Sequence, residues 1–429
     1  MRTIGLVGAI SIGVGGMVGG GIFAVLGEAV SLAHSATTYA FLIAGLVALL
    51  TSYSYAKLSV VYQSQGGTVT FIDKAFGRNL LSGSANLMLW LSYLVTISLY
   101  AVAFASYGAT FFEHKTALLN HILISTSIIL PALINLISAS FVSKSESIIV
   151  GIKVILLVVI IVSGAFYVDT SRLVVVKDFE PLSIVVAGMI IFVAYEGFEL
   201  IANAAEEIKE PVKNLPRAFY GSVLFVILLY VLIAVISVGT VPEVQLLQAK
   251  DYALAIAAKP ALGQVGFTIV AVAALLATFS AINATIYGNA RLGYIIAVEG
   301  ELPSLLTKKK REIPFMGIII ILILSLTLAN SIDLTEIAII GSASFLLIFF
   351  IVNLSAYRLR KEIKANTLIV FVSTLSTFVA LVTLMYHTYS SNPNAIIMFS
   401  LFIVISLAFE FFYGRLIRGH FFNRKYKDI

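Results

Sequence analysis

Ser11-Ile-Gly-Val-Gly-Gly-Met-Val-Gly-Gly-Gly-Ile-Phe23 is an apolar stretch in which six of thirteen residues are glycine. It lies inside a segment, 4–31, long enough to cross a bilayer. A glycine in a helix interior is unfavourable by about 1 kcal/mol relative to alanine. In hydrocarbon, any backbone group released from a helix must find another partner. Small residues also permit close helix packing, and Gly15-x-x-x-Gly19 fits that pattern. Packing accounts for one or two of the glycines. It does not account for Gly19-Gly20-Gly21, which together cover almost a full circumference of a helix. The stretch therefore predicts a helix broken within the membrane, with backbone amides and carbonyls left to hold something polar. Broken helices near the bilayer midplane are a construction of secondary transporters.

The rest of the chain agrees with a membrane setting. Its 429 residues are 60% hydrophobic and only 12% charged, whereas soluble domains carry about 45–50% apolar and roughly 25% charged residues. The fold class is an all-α integral membrane protein, and the short polar gaps leave no separate soluble domain. Met1-Arg-Thr runs into the glycine-rich segment without a small-residue cleavage site, which predicts a retained first helix and not a signal peptide. Cysteine is absent, which excludes disulfides and thiolate metal sites.

Apolar runs predict twelve spans at 4–31, 38–63, 82–112, 119–140, 146–168, 181–204, 217–241, 264–298, 314–331, 334–358, 366–389 and 393–415. With the N-terminus inside, 22 lysines and arginines fall on the cytoplasmic side and five outside, the asymmetry that orients membrane proteins. Both termini are then cytoplasmic, and the excess positive charge marks lipid headgroups as partners in place of nucleic acid. The sixth span is interrupted at Ile191-Phe-Val-Ala-Tyr-Glu-Gly-Phe-Glu199. Broken spans that each open a set of five predict a 5+5 inverted repeat: 1–168 and 181–358, followed by two peripheral spans (366–415) and a basic tail (416–429).

Several polar residues lie at membrane depth. Lys153 stands about two turns into the fifth span. It either snorkels to the headgroups or faces a cavity as an amine that gains and loses a proton. Glu196 and Glu199 flank Gly197. They are either structural carboxylates paired across helices, or Glu196 faces a bound cationic group while Glu199 joins the sixth span to the first. Thr278, Ser280, Asn283, Thr285, Tyr287 and Asn289 form a polar stripe in the eighth span, where hydroxyls often bond only to their own helix. There is no phosphate loop, metal cluster or Ser-His-Asp set, and the five histidines sit near span ends without clustering. No cofactor is expected, and an enzyme is disfavoured.

Four motifs in order give the chain a family likeness. Gly19-Gly-Gly-Ile-Phe23 is similar to the helix 1 signature of the amino acid–polyamine–organocation superfamily. Gly66-Gly67 resembles its loop after helix 2, although Ser64 stands where most members have proline. Glu206-Glu-Ile-Lys-Glu-Pro211 with Asn214-Leu-Pro-Arg217 resembles its signature after helix 6, and Glu299-Gly-Glu-Leu-Pro303 its turn after helix 8. The resemblance covers essentially the whole chain. It implies the leucine-transporter-type fold and amino acid transport by alternating access.

Lys153 makes the chain look closest to an archaeal, proton-dependent, broad-specificity branch. That likeness implies that the amine of Lys153 meets the carbonyls of Gly15 and Val18 and the hydroxyl of Ser280, in place of a sodium ion. Glu196 departs from the family, where most members have an apolar residue. The expected function is proton-coupled symport of amino acids into the cell. A proton-independent exchanger of amino acids or polyamines is the alternative. The expected substrate site comprises the amides of Gly19, Gly20 and Gly21 beside Met17, and the break around Val193, Tyr195, Glu196, Gly197 and Phe198. Lys153, Gly15, Val18, Ser280 and Glu199 are the expected proton-coupling set. The particular substrate and the oligomeric state are left open by the sequence.

Overall fold

The computed structural model describes residues 2–137, 139–174, 181–310 and 313–418, so most of the expected basic tail (Arg424, Lys425 and Lys427 included) lies outside the described residues. The first expected span is two helices, α1 (Leu6–Met17) and α2 (Gly21–Ala33). A single 3-10 turn joins α2 to α3 (Thr37–Val61), and a short helix α4 (Thr68–Phe76) precedes α5 (Leu80–Gly108). Then come α6 (Ala117–Ile137), α7 (Ala139–Gly164) and α8 (Pro181–Ile190). After a 3-10 turn and a reversal, α9 (Leu200–Asn203) completes the interrupted sixth span. α10 (Pro211–Thr240) is followed by two short connecting helices, α11 (Glu243–Ala249) and α12 (Ala253–Ala257). The chain continues with α13 (Lys259–Val298), α14 (Phe315–Ala329), α15 (Leu334–Arg358), α16 (Thr367–Ser391) and α17 (Pro393–Tyr413). Among the described residues there is no strand, only two isolated bridges.

Among the described residues, ten helical stretches are long and apolar enough to cross a membrane, one of them holding α2 and α3 together (Gly21–Val61), with α1 and α14 shorter. The difference from twelve has two physical sources. The glycine break leaves α1 with 12 residues, and α14 has 15, a length of about 22 Å at 1.5 Å per residue. Three starts also move by five residues or more, that of the fifth span to Ala139. α10 begins at Pro211 because proline at the first helical position gives up a donor that would have no partner there. α13 begins at Lys259 but kinks at Gly263 (φ +60°), beside the expected start at 264.

Local chemistry fixes several helix ends. The Asn79 side chain accepts the Leu81 and Ser82 N–H groups (2.9 and 3.2 Å) while the Ser82 hydroxyl accepts the Asn79 N–H, a reciprocal cap for α5. Asp333 caps α15 by accepting the Glu336 N–H (2.8 Å).

The layers follow from which helices are apolar all round. α5 and the interrupted α8–α9 segment are almost wholly buried, whereas α6, α7, α16 and α17 expose most of their surface. That outer surface carries Leu118, Ile155, Phe371 and Val404. An inner bundle wrapped by helices with apolar outer faces is a multi-pass membrane protein. Inside it, α1 packs on α10, α10 on α3, and α5 on α13 and α15. The two interrupted spans sit at its centre.

Candidate functional site

The first break spans Val18–Gly20, with Val18 at φ −79° and ψ +51° and Gly20 capping α2. A backbone carbonyl freed in a dry interior needs a donor, and the Tyr230 hydroxyl supplies one to Met17 O at 2.6 Å. The glycines here are required by contact and not by conformation, since none of Gly19, Gly20 and Gly21 has a positive φ. A Cβ on Gly20 would stand 2.3 Å from the Tyr100 ring, and one on Gly19 would lie 3.2 Å from the Ala281 methyl and 3.4 Å from the Tyr100 hydroxyl.

The second break is built differently. A 3-10 turn over Ile191–Tyr195 leads to an extended Glu196 (ψ 145°) and to Gly197 at φ +118°, a conformation that a side chain rarely allows. Ser342 of α15 substitutes for the missing helical rung. Its hydroxyl donates to Ile190 O (2.6 Å) and accepts the Val193 N–H (2.9 Å). Glu199 accepts the Gly197 N–H at 2.8 Å and the Tyr93 hydroxyl at 2.9 Å. These bonds tie Glu199 to its own break and to α5, not to the first span as expected. Glu196, 4% exposed, meets the carboxyl of Glu199 and the hydroxyl of Tyr100. Its Oε2 has no hydrogen-bond partner.

The two breaks touch through backbone. A Cβ on Gly16 would fall 2.5 Å from Gly197 O, one on Gly197 2.3 Å from Gly16 C, and one on Gly21 2.8 Å from Ala194 Cα. Only glycine lets the broken spans approach this closely. The other residues expected at the site are placed as follows. Met17 and Val193 are buried beside the breaks. Tyr195 turns towards α3 and α10, its hydroxyl donating to Phe41 O (2.8 Å) and its ring 5.2 Å from that of Tyr230. Phe198 is enclosed by Tyr55 and Phe349. Both rings have packing partners in the core.

Lys153 is 2% exposed, so it does not snorkel to the surface. Val150, one turn earlier on α7, packs against Gly15, where a Cβ would lie 2.8 Å from the valine methyl. α7 also lies along α13, which carries the buried Ser280. In the polar stripe of α13, Thr278 and Thr285 bond to their own helix (2.7 and 2.8 Å). The amides bridge helices instead. Asn135 donates to Asn283 Oδ1 (2.8 Å), and Asn289 donates to Trp90 O (3.2 Å).

Two further clusters are not legible as sites in the sequence, because their members come from segments far apart in the chain, with only Glu299 and Glu301 standing in a quoted motif. At the end of the bundle away from the N-terminus, Glu28 of α2 pairs with Lys250 at 2.9 Å. Lys250 donates to Thr335 (2.8 Å) and Thr335 donates to Glu28 (3.1 Å), closing a ring between α2, α15 and the turn before α12. Gly27 makes that ring possible, since a Cβ there would be 1.9 Å from Lys250 O. Burial pushes the neighbouring Asp251 carboxyl up, against the opposing pull of Lys250 and Ser106. At the other end, Asp73 of α4, Glu299 and Glu301 gather around Arg78 and Asn86. Burial, then Glu301 and Glu299, push the Asp73 carboxyl up to about 7, with Arg78 and Asn86 opposing them. Nearby, Gly67 (φ +46°) sits against Asn203, and Ile4 pairs with the segment after α9 through backbone bonds to Glu207 and Lys209 (3.0 and 2.8 Å). The paired glycines therefore meet the end of the sixth span, and the segment after that span meets the start of the chain at Ile4.

The family model described as amino acid permease matches residues 4–408. An uncharacterised protein of Methanocaldococcus jannaschii is 33% identical, over 99% of this chain and 98% of its own. The inner membrane transport protein YbaT of Escherichia coli is 34% identical over 92% and 93% of the two chains. The branched-chain amino acid permease BcaP of Bacillus subtilis is 24% identical over 84% of this chain and 81% of its own.

Proposed function

The chain belongs to the amino acid permease family, and from that premise we propose that it imports amino acids across the cytoplasmic membrane, coupled to protons, by alternating access. The observation that carries this reading is the contact between two broken spans at Gly16–Gly197 and Gly21–Ala194. A helix N-terminus is an anion site, so the amides of Gly19, Gly20 and Gly21 at the start of α2 take the substrate carboxylate. Carbonyls of the second break, around Val193 and Glu196, take the amine. Both groups are common to every amino acid. The architecture we assign is twelve spans, arranged as two five-span repeats (1–168 and 181–358), the second inverted, with 366–415 peripheral and both termini cytoplasmic.

In this reading the Glu28–Lys250–Thr335 ring is the outer seal, and its closure leaves the substrate site without a path to that side. Opening requires α2 to part from the Lys250 turn, which Glu28, Lys250 and Thr335 tie to it, and His34 at the end of α2 to part from Glu243 of α11. Lys153 is the coupling group. Its depth and its place on α7, one turn from the Val150–Gly15 contact, support an ammonium that binds α7 to the first break and to Ser280. Losing the proton removes that tie and shifts the balance between inward- and outward-facing states. A ligand can shift such a balance only by its differential affinity, about 1.4 kcal/mol for each unit of pKa difference between the two states.

The test is Lys153→Ala in proteoliposomes. The variant should still bind amino acid but lose accumulation driven by a pH gradient, and Lys153→Arg should fail as well because guanidinium keeps its proton. Full gradient-driven accumulation by the alanine variant would remove Lys153 from coupling.

A further inference from the structure

We propose that the end of the bundle away from the N-terminus holds a second amino acid site, a cleft that takes a zwitterion with an apolar side chain. The inference rests on the amino acid reading above and adds a place, apart from the two breaks, where such a molecule binds. A cavity of about 470 Å3 opens where the end of α2, the 3-10 turn Thr170–Leu173, the end of α10 and α11 come together. Small-molecule sites span about 300–1,000 Å3, so the cleft holds a free amino acid with space to spare.

Its lining offers two kinds of surface. Val30, Val238 and Leu246 are buried and give it a fixed apolar wall. Arg172 and Glu243 line the same cavity with opposite charges, their side chains 36% and 44% exposed. Arg172 meets Asp169 only through Nε, at 3.6 Å, and its two Nη groups have no partner among the described residues. An exposed pair of that length is weak. Glu243 meets His34 Nδ1 through Oε1 at 2.6 Å, and its Oε2 has no partner among the described residues. A guanidinium edge and a carboxylate oxygen thus stand open around an apolar wall.

That combination selects a chemical class. A simple anion would meet Glu243 and a simple cation would meet Arg172, each against a like charge. A free amino acid meets both with the opposite charge. Its carboxylate accepts from the planar guanidinium, which suits it geometrically, and its ammonium donates to Glu243. An apolar side chain then covers the valine and leucine wall, which adds hydrophobic burial. Glu243 is also the residue that ties α11 to His34 at the end of α2, so the occupant engages a contact that parts when the outer end opens.

The chain has no cysteine, so a single Ser35→Cys reports on the cleft, with Val174→Cys as a second reporter on its lining. The purified full-length protein is labelled with a polar maleimide while leucine, N-acetyl-leucine or leucinamide is titrated in. Leucine should protect both cysteines. The two analogues each lack one charge and should need at least about tenfold higher concentrations. Adding Arg172→Gln should weaken protection by leucine to a similar degree, and calorimetry should count one leucine site fewer than in the wild type. Absence of protection at both reporters would overturn the inference, as would equal protection by leucine and its analogues. Protection that survives Arg172→Gln would place leucine elsewhere and overturn it too. Protection by phosphatidylethanolamine in place of leucine would make a lipid headgroup the occupant and sink the amino acid site. Each of those results leaves the amino acid reading standing if calorimetry still counts one site. Failure of all twenty amino acids to bind would sink that reading as well.

Discussion

In the first break the contacts are made by backbone and by glycines pressed against Tyr100, Ala281 and Ala194. In the second, a single glycine at φ +118° turns the chain, and two buried glutamates and a serine from α15 supply the polar partners. The first break thus presents backbone groups, and the second adds two buried carboxyls from side chains. The two halves are built from different chemistry, and each is open to a separate test.

The contact between the breaks is where the largest effect is expected. Gly197→Ala places a methyl 2.3 Å from Gly16 C and forces a side chain into φ +118°. Backbone strain of that kind costs about 1–3 kcal/mol on its own, before the steric displacement is counted. Transport should be abolished and the thermal unfolding temperature lowered by several degrees. Near-normal uptake would mean that the breaks need not touch.

In the proposed reading the Glu28–Lys250–Thr335 ring sharpens the contrast, because it seals the backbone-made half of the site with a glycine of its own. Gly27→Val cannot coexist with Lys250 O at 1.9 Å from the added Cβ, so the turn must lift from α2. The chain has no cysteine, which makes a single Ala24→Cys a clean reporter beneath Glu28 and Lys250. Its labelling by a polar maleimide should be several-fold faster when Gly27→Val is added. Unchanged labelling would show that close approach at Gly27 does not hold the seal.

The smallest effect concerns carboxylates that do have a cation. Unlike Glu196, Asp73 has Arg78 at 3.3 Å, yet burial and the two neighbouring glutamates hold its carboxyl at about 7, against 3.8 ordinarily. Its folded-state affinity for a proton is raised, so between those two values the folded chain keeps a proton that the unfolded chain has released. Stability should therefore fall as pH rises from near 4 towards 7 and level off above. Asp73→Asn should flatten that part of the melting-temperature profile. A slope that survives the substitution would assign it to another group.

The sequence made some of this plain and hid the rest for identifiable reasons. Three consecutive glycines and a Glu-Gly-Phe-Glu run inside apolar segments announce two broken helices, because a helix without alternatives would not be built that way in hydrocarbon. Span 10 was legible to the residue at 334–358, since charge and apolar length bound it on both sides. The short helices α4, α11 and α12 were not, because a few turns of mixed polarity carry no periodic signal. Tyr195 and Phe198 looked like contacts for a ligand, but a break reverses the chain and can aim its aromatic rings into the core.

By itself, then, the sequence determined the solvent of this protein and the two places where helices fail, since each depends on residues close together in the chain. Tertiary structure alone decided that Gly16 meets Gly197, that Tyr93 and Tyr100 serve the two glutamates unequally, and that Lys250 lands on Gly27. Those outcomes depend on which helix faces are brought together across distances of 96 to more than 200 residues, and hydrophobic burial, being non-directional, leaves no record of that choice in any local pattern.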